Sequence, residues 1–285
     1  MSEELRQMRV DFGRNIGAIK AVNGVNLGPI SMSGYLDLSK YHAQLKIPQT
    51  RLHDCPYAVP ETVDIHSIFP LFDADEMDPA NYRFTITDDY IQSILDVGSG
   101  IVYRLGETIE HYKRRKYFIH PPKDYEKWAR ICIQIIRHYN EGWADGFHHN
   151  IRYWEIWNEP YLPGLNWTGT PDEYIRFYGI TSRLIKAAFP NLMIGGPTTN
   201  AEDRFWDFGE NFLTHCREVG APVDFFSWHC YTPTHEHIAV WAERFRALVV
   251  EHGYQDTEMH LNEWHYVAPG PWDGKNHETT TSEIG

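Results

Sequence analysis

Ile151-Arg152-Tyr153-Trp154-Glu155-Ile156-Trp157-Asn158-Glu159-Pro160 is the stretch whose reading decides the fold. Its first six residues form a short apolar run, the signature of a buried strand, and Asn158-Glu159-Pro160 ends that run in turn chemistry. A second stretch, Glu258-Met259-His260-Leu261-Asn262-Glu263-Trp264, repeats the arrangement about a hundred residues later. Each places a glutamate at the end of a buried strand.

Working outward, strand-like and helix-like segments alternate, the pattern of a parallel sheet wrapped by helices. Strands are expected at residues 19–25, 49–53, 100–105, 151–156, 192–195, 223–229 and 258–263. Helices are expected at 88–97, from Asp124, from Thr170 to about Ala188, at 206–219 and at 235–251. The helix from Asp124 is marked by Trp128, Ile131, Cys132, Ile135, Ile136 and Tyr139 on one face, with Gly142 after its end. Thr170-Pro171-Asp172-Glu173 is a capping box with proline at the first helical position. No linker, low-complexity tract or repeat interrupts residues 1–285, so one catalytic domain is expected, an α/β fold of the (β/α)8 TIM-barrel type. Such a barrel needs eight strands, and this reading finds seven; the chain reads as truncated after strand seven. The bare edges of strands one and seven are then expected to make it a fragment of a longer protein or a homo-oligomer joined through the open barrel edge.

Composition narrows the function classes. Of 285 residues, 42% are hydrophobic and 23% charged, which fits a globular protein with a large core. The net charge of -13 argues against a nucleic-acid partner, which needs a basic surface. The one basic run, Lys113-Arg114-Arg115-Lys116, reads as a solvated face. Aromatic residues reach 14%, suited both to sugar platforms and to barrel packing. Cys55, Cys132, Cys216 and Cys230 lack CxxC spacing and read as small buried hydrophobes. The start, Met-Ser-Glu-Glu-Leu-Arg, lacks a signal peptide's apolar segment, and no run reaches transmembrane length, so no membrane partner and a cytoplasmic location are expected. Among sixteen histidines there is no HExxH or short-spaced His/Cys pair; neither a metal nor another cofactor is expected.

The polar residues at strand ends suggest the chemistry. Two carboxylates flanking one bond are what retaining hydrolysis of a glycoside requires, one as proton donor and one as nucleophile. Glu159 and Glu263 are the candidates; the plainer alternative makes one a turn cap and the other a solvated loop residue. Asn158 can hydrogen-bond a sugar hydroxyl or simply close the turn. Arg51 and His53, two residues apart, point to one face, where Arg51 can hold a carboxylate ionised or form a structural ion pair. His229 and Tyr231 repeat that spacing; a Tyr231 hydroxyl aimed at Glu263 would orient it, and the alternative makes either one an ordinary buried polar group with a backbone partner. Glu107 is a further carboxylate on the same face.

With these residues on the page, the chain resembles glycoside hydrolase family 39, of the clan A retaining (β/α)8-barrel glycosidases, the family of β-xylosidases and α-L-iduronidases. The resemblance runs in order from about residue 15 to 266. It is carried by Arg51-Leu52-His53, Tyr82-Arg83-Phe84-Thr85, Pro121-Pro122-Lys123-Asp124-Tyr125 with Trp128, and Glu155-Ile156-Trp157-Asn158-Glu159-Pro160. It continues through Gly195-Gly196-Pro197, Val223-Asp224-Phe225 with His229 and Tyr231, and His260-Leu261-Asn262-Glu263. The resemblance implies Glu159 as acid/base and Glu263 as nucleophile of an enzyme exo-acting on β-xylosides or a related glycoside, with Asn158, His53, His229 and Tyr231 lining the sugar subsite. The loop Tyr161-Leu162-Pro163-Gly164-Leu165-Asn166-Trp167 departs from the xylosidase pattern, and residues 264–285 are not expected to supply the eighth strand and β-sandwich that usually follow. An inactive or carbohydrate-binding fragment of a longer glycosidase is the alternative.

Overall fold

The computed structural model describes residues 9–267 apart from Ile16 and Ile19. Seven parallel strands form one sheet: β1 Val25–Asn26, β2 Gln49–Leu52, β3 Gly100–Leu105, β4 Tyr153–Ile156, β5 Met193–Asn200, β6 Phe225–Thr232 and β7 Glu258–Tyr266. They are hydrogen-bonded in sequence order. The longer helices connecting them among the described residues are α1 Ser39–Leu45, α2 Thr85–Asp96, α3 Tyr125–Glu141, α4 Pro171–Ala188, α5 Trp206–Val219 and α6 His235–Glu251, with one short turn of helix at Ile65–Ile68 before α2. Strand then helix, six times over, curls the sheet into a nearly closed barrel, because each crossover packs its helix on the outer face.

Local chemistry explains where the helices start and stop. Asp124 caps α3 by accepting the Lys127 amide at 2.9 Å, and Gly142, at φ 74°, ends it. Thr170 and Glu173 close their capping box in both directions, at 3.2 and 2.7 Å. The apolar face of α3 is buried as its periodicity predicts, each such side chain contributing roughly 1.5–3 kcal/mol. All four cysteines are buried and free. Helix α2 begins at Thr85, three residues before the expected start at 88.

The first strand corrects the sequence reading. Residue 19 lies outside the described residues, residues 20–24 form no strand, and β1 is only Val25–Asn26, paired to Thr50 and Arg51. Val22 is exposed, so this segment has no apolar face to bury. An antiparallel pair, Ile30–Ser31 with Leu36–Asp37, was not foreseen. No eighth strand joins the seven-stranded sheet among the described residues. The Cα atoms of β1 and β7 come within 8 Å, yet no ladder joins them. The last strand is accordingly half-covered, and Trp264 is 62% exposed.

Irregularities in two strands position the site. Between β6 and β7, Trp228 pairs with Leu261 but His229 pairs with Glu263, so Asn262 is an extra residue on β7. Between β5 and β6 the register shifts similarly around Thr198. A bulge of this kind turns consecutive side chains toward one face, which a regular strand cannot do.

Candidate active site

The C-terminal halves of the strands gather the candidate side chains, beginning with a buried polar network inside the barrel. Arg51 of β2 donates from Nε to Glu155 Oε2 at 2.6 Å, from Nη2 to Asn158 Oδ1 at 2.7 Å and from Nη1 to Glu263 Oε2 at 3.3 Å. Glu155 Oε1 accepts from Asn262 Nδ2 at 2.6 Å. Glu155 therefore ties β2, β4 and β7 together across the interior, with both oxygens satisfied. Glu155 and Asn262 went unremarked as site residues in the sequence; a glutamate within a buried run was the available signal.

Glu159 follows β4 on a left-handed backbone, with φ 71° at Trp157 and 40° at Glu159. Such conformations are strained for residues other than glycine and persist where neighbours enforce them. Here the Thr198 hydroxyl accepts the Glu159 amide at 2.6 Å, and Trp157 Nε1 donates to the Asn166 carbonyl at 2.6 Å. Gly106, at φ 154°, allows the close approach: a Cβ there would come within 3.1 Å of the Trp157 ring. The Glu159 carboxyl accepts from Tyr161 Oη at 2.8 Å and Asn166 Nδ2 at 3.3 Å, both from the loop that follows it. Sequence reading noted that loop but not these two contacts.

His229 stands between the two glutamates. Its Nδ1 lies 2.7 Å from Glu159 Oε1 and 3.8 Å from Glu263 Oε2. One oxygen of each glutamate and a His229 nitrogen all lie within 4.8 Å of one another. Tyr231 donates its hydroxyl to Glu263 Oε1. Burial pushes the Glu263 carboxyl up, but His229, Arg51 and the Tyr231 hydrogen bond outweigh it and hold its pKa below the usual value. Asn158 is buried, and its Nδ2 has no partner among the described residues.

His53 and Glu107 make no hydrogen bond to this pair. His53 lies beyond the end of β2, buried, with Nε2 3.5 Å from Asp54 and no hydrogen bond to either glutamate. Burial, then Arg51, Arg104 and His229, drive its pKa well down, so its imidazole is neutral. Glu107 instead meets His66, with Oε2 2.5 Å from Nδ1. Burial raises the Glu107 carboxyl to about 7 against the opposing pull of His66. Asp64, His66 and Glu107 form a second group spaced as metal ligands could be. Asp64 is already occupied by Arg104 at 2.8 Å and by the Thr108 amide and hydroxyl at 2.7 and 2.9 Å.

Parallel strands wrapped by helices, with acidic groups over the strand ends, place the chain in the (β/α)-barrel class. Within that class, the profile described as glycosyl hydrolases family 39 matches residues 37–255, and the chain belongs to that family. A β-xylosidase of Geobacillus stearothermophilus is 30% identical over 188 residues, 62% of this chain and 36% of the relative. One from Caldicellulosiruptor saccharolyticus is 31% identical over 163 residues, 53% and 31% of the two chains. This chain thus spans about a third of the length of the curated relatives it matches. The crystal structure of a glucosidase from Croceicoccus marinus superposes with a TM-score of 0.76 at 27% identity, covering 90% of this chain and 54% of that one. A monomeric β-xylosidase from Caulobacter crescentus CB15 shares the fold, with a TM-score of 0.67 at 20% identity and coverage of 89% and 54%. No helix among the described residues is long and apolar enough to cross a membrane.

Proposed function

We propose that this barrel carries a retaining glycoside hydrolase site, exo-acting on β-xylosides or a related glycoside, with Glu159 as acid/base and Glu263 as nucleophile. The observation that carries the reading is the spacing of the pair, one oxygen of each lying within 4.8 Å of the other. Retaining pairs sit roughly 5–5.5 Å apart, whereas inverting pairs need about 6.5–9.5 Å to admit a water.

In the first step a Glu263 oxygen bonds to the anomeric carbon. The bond to the leaving oxygen breaks as Glu159 gives that oxygen its proton. In the second step Glu159, now a carboxylate, takes a proton from water. The water oxygen bonds to the anomeric carbon, and Glu263 leaves as a carboxylate. Arg51 and Tyr231 favour the ionised nucleophile. The Asn158 Nδ2 is a buried donor suited to a sugar hydroxyl beside the reacting carbon. β-Xylosides are favoured because both relatives named above are β-xylosidases.

Proton NMR of the first product formed from an aryl β-xyloside tests the reading. Retention of the anomeric configuration is expected; an inverted first product overturns the assignment of Glu263.

A further inference from the structure

The loop between β3 and α3 holds the basic run, and its surroundings are unlike the rest of this acidic chain. Tyr112, Lys113, Arg114, Arg115 and Tyr117 line one concave surface. Tyr112, Tyr117 and the neighbouring Phe118 are about half exposed, at 56%, 52% and 44%. Tyr112 and Tyr117 pack edge to face at 5.7 Å, and the Arg115 guanidinium lies 5.2 Å from the Tyr117 ring centre. Lys113 and Arg114 form no hydrogen bond or ion pair with any described residue.

The loop is built rather than loose. The buried Glu110 accepts the amides of Tyr117 and Phe118 at 2.7 and 3.0 Å, and its carbonyl accepts Lys116 Nζ at 2.5 Å. Lys116 is thereby turned inward, leaving Lys113, Arg114 and Arg115 as the outward cations. The Glu110 amide donates to the Leu165 carbonyl at 3.1 Å. His120 meets the Thr168 hydroxyl at 2.8 Å. These bonds fasten the basic loop to the segment that supplies Tyr161 and Asn166 to Glu159.

We infer that this loop is a recognition surface for carboxylate-bearing saccharides, such as chains containing uronic acid, on the leaving-group side of the site. Guanidinium groups match planar carboxylates, and exposed aromatic rings offer faces to the apolar side of a sugar. Single-stranded DNA and polyacrylate carry the same sign of charge as a polyuronate and therefore serve as the controls below. The side assignment rests on Glu159 as acid/base, since the proton donor faces the departing sugar. Recognition itself rests only on the loop.

The test is affinity electrophoresis of the full chain in gels containing polygalacturonate or its fully methyl-esterified form, with 4-nitrophenyl β-xyloside turnover measured in parallel. Retardation by the free acid alone is expected, weakened at least roughly tenfold in the variant Lys113→Glu/Arg114→Glu/Arg115→Glu and at raised salt. Tyr117→Ala should weaken it partly, and neither variant should change turnover. Arg114→Gln reads the same loss on a smaller scale should the triple variant fail to fold. Equal retardation by the ester, none at all, or retention by polyacrylate or single-stranded DNA that equals that by polygalacturonate and ignores Tyr117→Ala overturns the inference. Binding without turnover removes the hydrolase reading and leaves the surface standing; turnover without binding does the reverse.

Discussion

Glu263 stands opposite His229 across the β6–β7 ladder because β7 holds one residue more than its partner at that point. In an unbroken register Asn262 would pair with His229, and Glu263 would face away from the barrel axis. The extra residue sends Asn262 to Glu155 and Glu263 to Arg51, Tyr231 and His229. One bulge thus serves both the interior network and the paired carboxylates.

The Tyr231 hydroxyl is one of the groups holding Glu263 ionised. Tyr231→Phe should lower kcat/KM roughly 10- to 100-fold, the effect of one hydrogen bond to a charged group. Glu263 has a depressed pKa, so activity falls only as pH drops through a value below 4.5. Losing the donor should move that acid limb to higher pH. A pH–rate profile measures both effects, and an unmoved limb counts against the contact.

Glu159 should matter in proportion to leaving-group basicity. Glu159→Ala should slow glycosides with poor leaving groups far more than activated aryl glycosides, and azide should restore deglycosylation. Equal losses on both substrates, without an azide adduct, would remove the acid/base role.

Arg51 is 3% exposed and Glu155 fully buried. Arg51→Ala would strand the Glu155 charge, so stability should fall by about 3–5 kcal/mol in urea titrations. Arg51→Met with Glu155→Leu should recover much of the loss in stability while activity stays low, because Glu263 still lacks its cation. A single variant as stable as the parent would show that Glu155 is otherwise compensated.

Glu107 and His66 set a stability trend with pH. Glu107 titrates near 7 when folded against an ordinary value of 4.5, so its contribution is complete below 4.5 and is lost as pH rises toward 7. For His66 burial acts downward, but Glu107 raises its pKa on balance. The two shifts belong to one coupled pair and count once, with that sign. Urea midpoints should therefore fall as pH rises from 4.5 toward about 7, and Glu107→Gln should flatten that slope. An unchanged slope in the variant contradicts the pairing.

Much of this was legible in the sequence because it depends on periodicity. The apolar face of α3, the Thr170–Glu173 box and Glu159 just past the end of β4 follow from local pattern, whereas β7 runs on to Tyr266 and carries Glu263 inside the strand rather than at its end. What escaped depends on tertiary geometry. Adjacent Asn262 and Glu263 should point oppositely in a strand, and only the pairing with β6 reveals the bulge. Arg51 and His53 have the spacing to share a face; both are buried, and His53 makes no hydrogen bond to either glutamate. Glu107 lies at a strand end as expected but finds His66. No strand-length rule anticipates the two-residue β1, whose limits are set by its pairing with β2.

The central claim is that Glu263 forms a bond to the sugar, and covalent trapping tests it most directly. The chain is incubated with an activated 2-deoxy-2-fluoro β-xyloside, digested, and its peptides weighed. A mass increase of one fluoroxylosyl group on the peptide containing Glu263, absent in Glu263→Gln, is the result predicted. Rapid turnover of aryl β-xylosides with no adduct at Glu263, or an adduct on another carboxylate, would contradict the account.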